Sequence, residues 1–239
     1  MNIGKSFSFI FDEEGWFNKL LVAAVVAIIP IVNFAWVGYL VDLMRNVFDG
    51  DPKPLPSWDD FGGKFMKRLI LTLAAMIYSL PLIILSCVFI PIAILPAFSS
   101  DQDVQTVLAG VTTTGGIVVA CCLTLYILLL TFVYPAIYVN YAKNLTFGSC
   151  FKFGEFFPII SRNLGDYLIG WVIAIVLGFL IGLIAGALNL MLSFIPCLGW
   201  IISLLVSGMT SAWASAVFAH VFGQVGMKHF ASTGALVET

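Results

Sequence analysis

Few side chains in this sequence could do chemistry. There are two histidines, His220 and His229, five cysteines, and an acidic pair at Asp59 and Asp60. An imidazole acts as a base or a metal ligand when a nucleophile or further ligands stand beside it. Neither histidine belongs to an HExxH or to a Cys/His set. His220 falls near the inner end of the last apolar segment, where a packing or interfacial histidine is expected. Asp59 and Asp60 could in principle hold a metal or work as acid and base. They stand directly before a helix expected to begin near Phe61, so capping of its free N–H groups is the expected role. Cys87, Cys121, Cys122, Cys150 and Cys197 form no CxxC pair. They read as small buried hydrophobes without a structural disulfide. Gly115-Gly116 follows three threonines but lacks the Gly-Lys-Ser/Thr ending of a phosphate loop. Serines and threonines are plentiful, yet no histidine or acid is expected in the same layer to activate one. No catalytic residue, metal site or cofactor is therefore expected.

The elements that would position such groups are membrane-grade. The chain has 239 residues, 61% of them hydrophobic and 10% charged, with a mean hydropathy of +1.05. Soluble domains are about 25% charged. A net charge of −2 gives no reason to expect nucleic acid, and the dispersed basic residues form no polybasic lipid patch. Membrane lipids, and other membrane proteins, are the expected partners; homo-oligomerisation is left open. Three acids, Asp12, Glu13 and Glu14, precede the first apolar run, so no cleavable signal peptide is expected. Residues 69–100, 104–142 and 167–227 carry no Asp, Glu, Lys or Arg, which disfavours ion-coupled transport.

In order, residues 1–17 place Ile3, Phe7, Ile10 and Phe11 on one helical face and read as an interfacial helix. Residues 18–48 are interrupted by Pro30 and Asn33. They form either one kinked span or a short hairpin that enters and leaves on one side. The hairpin places all eleven basic residues on one side, so the positive-inside rule favours it. Residues 45–68 are a cytoplasmic loop drawn out by Pro52, Pro54 and Pro56. Trp58 suits headgroup level, and Gly62 and Gly63 allow close backbone approach. Residues 69–98, 114–141, 167–192 and 195–222 are the expected spans, with an acidic outer loop at 99–113. The first of them is longer than a straight span needs, so tilt, kinks or an irregular outer end should absorb the excess. Residues 151–160 should form a second interfacial helix on Phe153, Phe156, Phe157 and Ile160, limited by Pro158. Residues 223–239 are the cytoplasmic tail. The fold class expected is thus an all-α polytopic membrane bundle. It has four full spans plus a short N-terminal same-side hairpin, or five spans in the alternative, with interfacial amphipathic helices.

Two rows of small residues recur every four positions. One is Gly170, Ala174, Gly178, Gly182 and Gly186; the other is Ser203, Ser207, Ser211, Ser215 and Ala219. In lipid such rows let backbones approach. They are expected to form the tightest helix contact, with Gly182→Leu destabilising. The turn Pro196-Cys197-Leu198-Gly199 should join the two helices.

A further series is Ile29-Pro30, Asn33, Gly38-Tyr39, Arg45, Val47, Gly50, Leu55-Pro56, Trp58 and Asp60-Phe61-Gly62. It resembles an uncharacterised family of bacterial and archaeal integral membrane proteins, known only as a domain of unknown function. More distantly, the hydrophobic layout looks like the membrane domain of some bacterial glycerophosphodiester phosphodiesterases. The soluble phosphodiesterase barrel is not seen here, so that activity does not carry over. The resemblance implies no substrate and no catalytic residue; Trp58, Asp60 and Gly62 are expected to anchor the cytoplasmic loop. The function expected is a non-catalytic scaffold or accessory subunit of a membrane complex. The alternative is a lipid-handling or uncoupled transport protein with a groove between helices. The expected location is a prokaryotic inner membrane, with both termini cytoplasmic.

Overall fold

A computed structural model describes residues 1–195 and 198–234. Among them are eight α-helices: α1 (Ile3–Ser8), α2 (Trp16–Ile28), α3 (Phe34–Phe48), α4 (Phe61–Ile94), α5 (Gln102–Asn144), α6 (Phe153–Arg162), α7 (Leu164–Leu192) and α8 (Leu198–Ser232). Four stretches are long and apolar enough to cross a membrane: Phe61–Phe98, Gln102–Asn144, Leu164–Leu192 and Leu198–Ser232. The chain divides into two compact units, Met1–Leu71 together with the chain from Pro135 onward, and Thr72–Tyr134.

In the larger unit α2, α3 and α7 all pack on α8. Ala24 of α2 lies against Gly208, whereas Val47 of α3 lies against Gly223. Ser6 of α1 reaches His220. One limb therefore climbs α8 from its C-terminal end and the other returns to that end. Residues 18–48 are a hairpin and not a single kinked span. Its limbs, 13 and 15 residues long, reach only about 20 Å each, short of the ~30 Å hydrocarbon core. The tip satisfies its own backbone, as burial in lipid demands. Asn33 donates its amide to the Ala27 carbonyl at 3.1 Å, and its N–H to Ile29 at 3.0 Å. Ile31 follows Pro30 with φ +73°, a left-handed conformation that costs a β-branched residue energy.

Several boundaries differ from those the sequence suggests. Helix α1 stops at Ser8, so the helical face does not continue to Phe11. Phe9, Ile10 and Ser6 are buried, while Ile3 and Phe11 are exposed. The expected 99–113 loop shrinks to residues 99–101. Asp101 accepts the N–H groups of Asp103 and Val104 at 2.9 and 3.3 Å, and that cap starts α5 twelve residues early. At 43 residues, α5 is about 64 Å long, more than twice a hydrocarbon core. The expected irregular outer end of the first span is a 3₁₀ turn at Leu95–Phe98. Pro158 does not limit α6, which runs on to Arg162. That helix buries Phe156, Ile159 and Ile160 and leaves Phe153 and Phe157 exposed. Helix α8 continues ten residues past Phe222, burying Val225, Gly226, His229 and Phe230.

In the smaller unit Tyr126 donates its hydroxyl to the Tyr78 carbonyl at 2.8 Å. The Phe89 ring covers Gly115 and Gly116, which are thus helix-packing glycines.

The glycine row of α7 needs correction. Gly170 meets Val221 and Phe222, but a Cβ at Gly178, Gly182 or Gly186 would touch nothing within 4 Å. The reason is angular. A four-residue step turns about 400° in a helix of 3.6 residues per turn, so the row drifts about 40° per step. Gly186 points about 160° away from Gly170. The face that does meet α8 follows Tyr167, Gly170 and Leu177. The serine row also turns out of contact in part: Ser203, Ser207 and Ser215 are half-buried, Ser211 is exposed and only its last member, Ala219, is buried, while Ala174 of the glycine row is half-buried. The close approach on α8 is at Gly208, where a Cβ would lie 3.2 Å from the Ala24 carbonyl oxygen. Pro196 and Cys197 of the expected turn lie outside the described residues. Gly208→Leu should lower stability in detergent by about 1–3 kcal/mol, the usual cost of overpacking. Gly182→Leu should be neutral or slightly stabilising, since glycine weakens a helix by up to about 1 kcal/mol. Paired thermal melts check both.

Candidate functional site

Part of the 29–62 series, Gly38, Tyr39, Trp58 and Asp60, gathers where α3 meets the start of α4, whereas Asn33 stays at the hairpin tip and Val47 packs on Gly223 of α8. Gly38 lies on the backbone of Lys64; a Cβ there would stand 1.8 Å from the Lys64 carbonyl oxygen. Asp60 caps α4, its Oδ1 accepting the Gly63 N–H at 2.9 Å. A Cβ on Gly63 would fall 2.0 Å from the other carboxylate oxygen. Gly63 is thus the tight glycine. Gly62 has open space around it, and Phe61 is exposed.

Trp58 is the centrepiece of an aromatic stack. Its ring lies 4.6 Å from Tyr39 and 6.3 Å from Trp36, nearly parallel to both. Its indole N–H donates to the Lys19 carbonyl at 3.3 Å, tying the loop to α2. Burial raises the Tyr39 pKa above its ordinary value, so the phenol stays protonated. The proline strap is buried from Pro54 to Pro56. Its carbonyls are satisfied from outside it: Asn46 donates to Pro54 at 2.9 Å and Lys19 to Leu55 at 3.0 Å.

The charges here are paired. Lys19 bonds Glu13. Asp42 takes Lys67 and also Lys64, the latter at 3.5 Å. Lys64 is only 3% exposed, so Asp42 is what makes its charge tolerable. A cleft of about 390 Å³ opens beside them, lined by Asp42, Arg45, Asn46, Asp49, Ser57 and Lys64. Of its carboxylates, Asp42 already serves two lysines.

A second cluster joins the chain's two ends. Ser6 Oγ lies 3.0 Å from His220 Nδ1, 214 positions away in the sequence. Sequence reasoning foresaw no histidine beside a serine; the fold supplies one. Gln224 Nε2 stands 2.9 Å from Ser6 Oγ and 3.0 Å from the same imidazole nitrogen. Phe9 stacks on the His220 ring at 4.3 Å. A serine beside a histidine is half of a nucleophile–base pair. Here the serine is fully buried, and an amide shares the nitrogen that would take its proton. The cluster reads as a latch holding α1 on α8, which fits the packing role expected of His220. His229 is likewise buried, with Asn163 Nδ2 3.2 Å from its Nδ1. Among the described residues no group of three His, Cys, Asp or Glu residues could hold a metal.

These features define an all-α bundle with four helices long and apolar enough to cross a membrane, and a structural node where a motif-rich loop is clamped. The chain belongs to the family described as Protein of unknown function (DUF4013), whose profile matches residues 21–190. No curated protein and no solved structure matches it. The family match takes in the hairpin, the loop node and α7, and ends before α8.

The node can be tested residue by residue. Gly38→Ala should destabilise by more than 2 kcal/mol (roughly, as an overpacking that only backbone movement can relieve), whereas Gly62→Ala should do nothing measurable. Asp60→Ala should cost about 1 kcal/mol and Asp60→Asn, which keeps a capping oxygen, very little. Removing Asp42 by substitution with Leu should cost about 3 kcal/mol, because Lys64 is left buried without its partner. Thermal melts in detergent read all five.

Proposed function

We propose that the chain is a non-catalytic membrane protein, a scaffold or accessory subunit of a membrane complex. The observation that carries this reading is the uncovered row Gly178, Gly182 and Gly186 on α7, set among exposed Val176, Phe179, Leu180 and Leu183. Such a row lets a helix from another protein approach to backbone distance, which is how association proceeds in lipid. The groups with chemical potential support the same reading, because each is engaged in holding the fold. Asp60 caps a helix, Asp42 neutralises lysines, and Ser6 and His220 latch α1. The distant likeness to a membrane domain that accompanies a soluble phosphodiesterase belongs to this proposal, as a membrane part serving a separate catalytic one.

A photocrosslinking amino acid at position 182, activated in native membranes, tests it. One defined protein adduct is expected, and Gly182→Trp should abolish the association while leaving the melting temperature unchanged. Adducts to lipid alone would overturn the scaffold reading. They would favour lipid handling or uncoupled transport, whose specific support is the cleft at the ends of α5, α6 and α8.

The same proposal seats the protein in a prokaryotic inner membrane with both termini cytoplasmic. All eleven basic residues fall in residues 1–71 and 135–239 and none in 72–134. Both ends of the α2–α3 hairpin lie toward the C-terminal end of α8, so Lys5 and Lys228 share a side. Under the positive-inside rule that side is the cytoplasm. Cysteine introduced at Ser100 should react with an impermeant reagent on intact cells, and cysteine at Lys5 should react only after lysis. Labelling of position 5 from outside would reverse the assignment.

A further inference from the structure

We propose that Arg68, at the start of the first span, binds the phosphate of an anionic phospholipid. The inference rests on the chain's crossing a membrane and not on the scaffold reading. Arg68 is the last charge before residues 69–100, which hold no Asp, Glu, Lys or Arg. Helix α4 starts beside the first half of α3, with Lys64 on Gly38, and runs toward the hairpin tip. Phe65 stacks on Phe34 at 5.4 Å, and the Arg68 guanidinium lies 5.8 Å from the centre of the same Phe34 ring. Phe34 is the first residue of α3. The cation is therefore level with the turn of the hairpin and not with its charged ends. A cation carried to the edge of an apolar segment is costly without a partner, and it draws headgroups toward itself.

The protein supplies that cation with no counter-charge. Asp42 is bonded by Lys67 and lies 3.5 Å from Lys64. Glu13 pairs with Lys19, and Asp60 is committed to its cap. Among the described residues no carboxylate forms an ion pair with Arg68. Pro196 and Cys197 carry no charge. The acids after Gly234 start from the wrong end of the bundle. Gly226 and Phe230 lie against Phe48, which is about 21 Å along α3 from Phe34. Helix α8 runs on from there, away from the hairpin tip, and takes Gly234 about 6 Å further from Phe230. Residues 235–239, drawn out fully, reach back at most about 18 Å. That falls short of the roughly 27 Å to Arg68.

The guanidinium is held but not satisfied. Its Nη1 donates to the Tyr138 hydroxyl at 3.3 Å, a neutral acceptor. Its Nε is buried without a hydrogen-bond partner. The Tyr138 oxygen and the Phe34 ring restrict where the planar group can lie, while the residue as a whole is half-buried and so open to an oxygen from outside. An arginine fork grips two oxygens of one phosphate at once, which a lysine ammonium cannot do in the same geometry. The surroundings select a lipid over a soluble ion. At the same turn Ile28, Ile29 and Ile31 expose apolar side chains, which would lie against acyl chains. The lipid's net negative charge compensates the arginine, whereas a zwitterionic headgroup brings a cation of its own.

The test uses the full chain in nanodiscs of phosphatidylcholine with phosphatidylglycerol, at matched ionic strength, with and without millimolar inorganic phosphate in the buffer. Phosphatidylglycerol retained by the folded protein is measured by native mass spectrometry for the parent, Arg68→Gln, Arg68→Lys and the control Lys53→Gln, whose side chain is exposed. The temperature is kept below the melting point of every variant, so one of lower stability still reports. The parent should retain phosphatidylglycerol over phosphatidylcholine. Arg68→Gln should weaken that retention roughly tenfold or more, as for loss of a charged hydrogen bond. Arg68→Lys, which keeps the charge and loses the fork, should weaken it nearly as much, and Lys53→Gln should leave it intact. Inorganic phosphate should not compete. No preference for phosphatidylglycerol in the parent, or an Arg68→Gln protein that behaves like Lys53→Gln, would overturn the proposal. Parent-like retention by Arg68→Lys would overturn it too, since charge alone would then suffice. Displacement of the lipid by inorganic phosphate would overturn the assignment to a lipid.

Discussion

Close backbone approach along α8 is the constraint on which the larger unit depends. Between helices in lipid there is no hydrophobic drive comparable to that in water, so association rests on fit and on interhelical bonds. Helix α8 supplies the fit with glycines. At Gly208 it admits α2, at Gly223 it takes Val47 of α3, and at Gly226 it takes Phe48 of α3 and Val139 of α5. Each contact lies where a side chain on α8 would collide with a neighbour. The N-terminal part of α8 is different: Leu198, Trp200, Ile201 and Leu204 are exposed. One helix therefore works as an axle at its C-terminal end and as a lipid-facing rod at the other.

The short hairpin follows from that axle. Its limbs are too short to span, so the chain must turn within the apolar layer, where every backbone group needs a partner. Asn33 meets that need through its side chain, and the turn holds Ile31 in a costly left-handed conformation. Strain of this kind persists only where surrounding contacts fix it. Those contacts are the ones α2 and α3 make with α8 and the clamp of Trp58, Gly38 and Asp60 on the first half of α3. Helix α8 thus holds the limbs, and the loop after α3 ties them together through Trp58.

What could be read from the sequence divides along the range of the interactions. The Asp60 cap, the break at Pro30–Asn33 and the identity of the spans rest on neighbours a few residues apart, and they were legible. The glycine row was legible as a row but not as a contact. A four-residue spacing looks like one face in a list of letters and is a spiral on a real helix. Helix α5 began earlier than expected because a single carboxylate, Asp101, outweighed the polar character of the residues after it. The Ser6–His220 latch and the Gly38–Lys64 contact were out of reach, since each joins residues that only the tertiary fold brings together. Gly62 drew attention for its place in a motif, while the steric need fell on its neighbour Gly63.

The distribution of committed and uncommitted groups bears on function more directly than any single motif does. A buried charge or hydroxyl that already has its partners contributes to folding, and engaging it in a reaction would cost those bonds. Asp42, Lys64, Ser6 and His220 are of that kind, and the exposed Asp60 is committed to its cap. Two regions are not. One is the apolar, small-residue face of α7, which has room for a helix and no neighbour filling it. The other is the cleft at the ends of α5, α6 and α8, where among the described residues Lys152 and two asparagines bond Glu155. The first faces the apolar layer and the second the charged end of the bundle. The geometry separates them, so a change on the α7 face need not disturb the cleft.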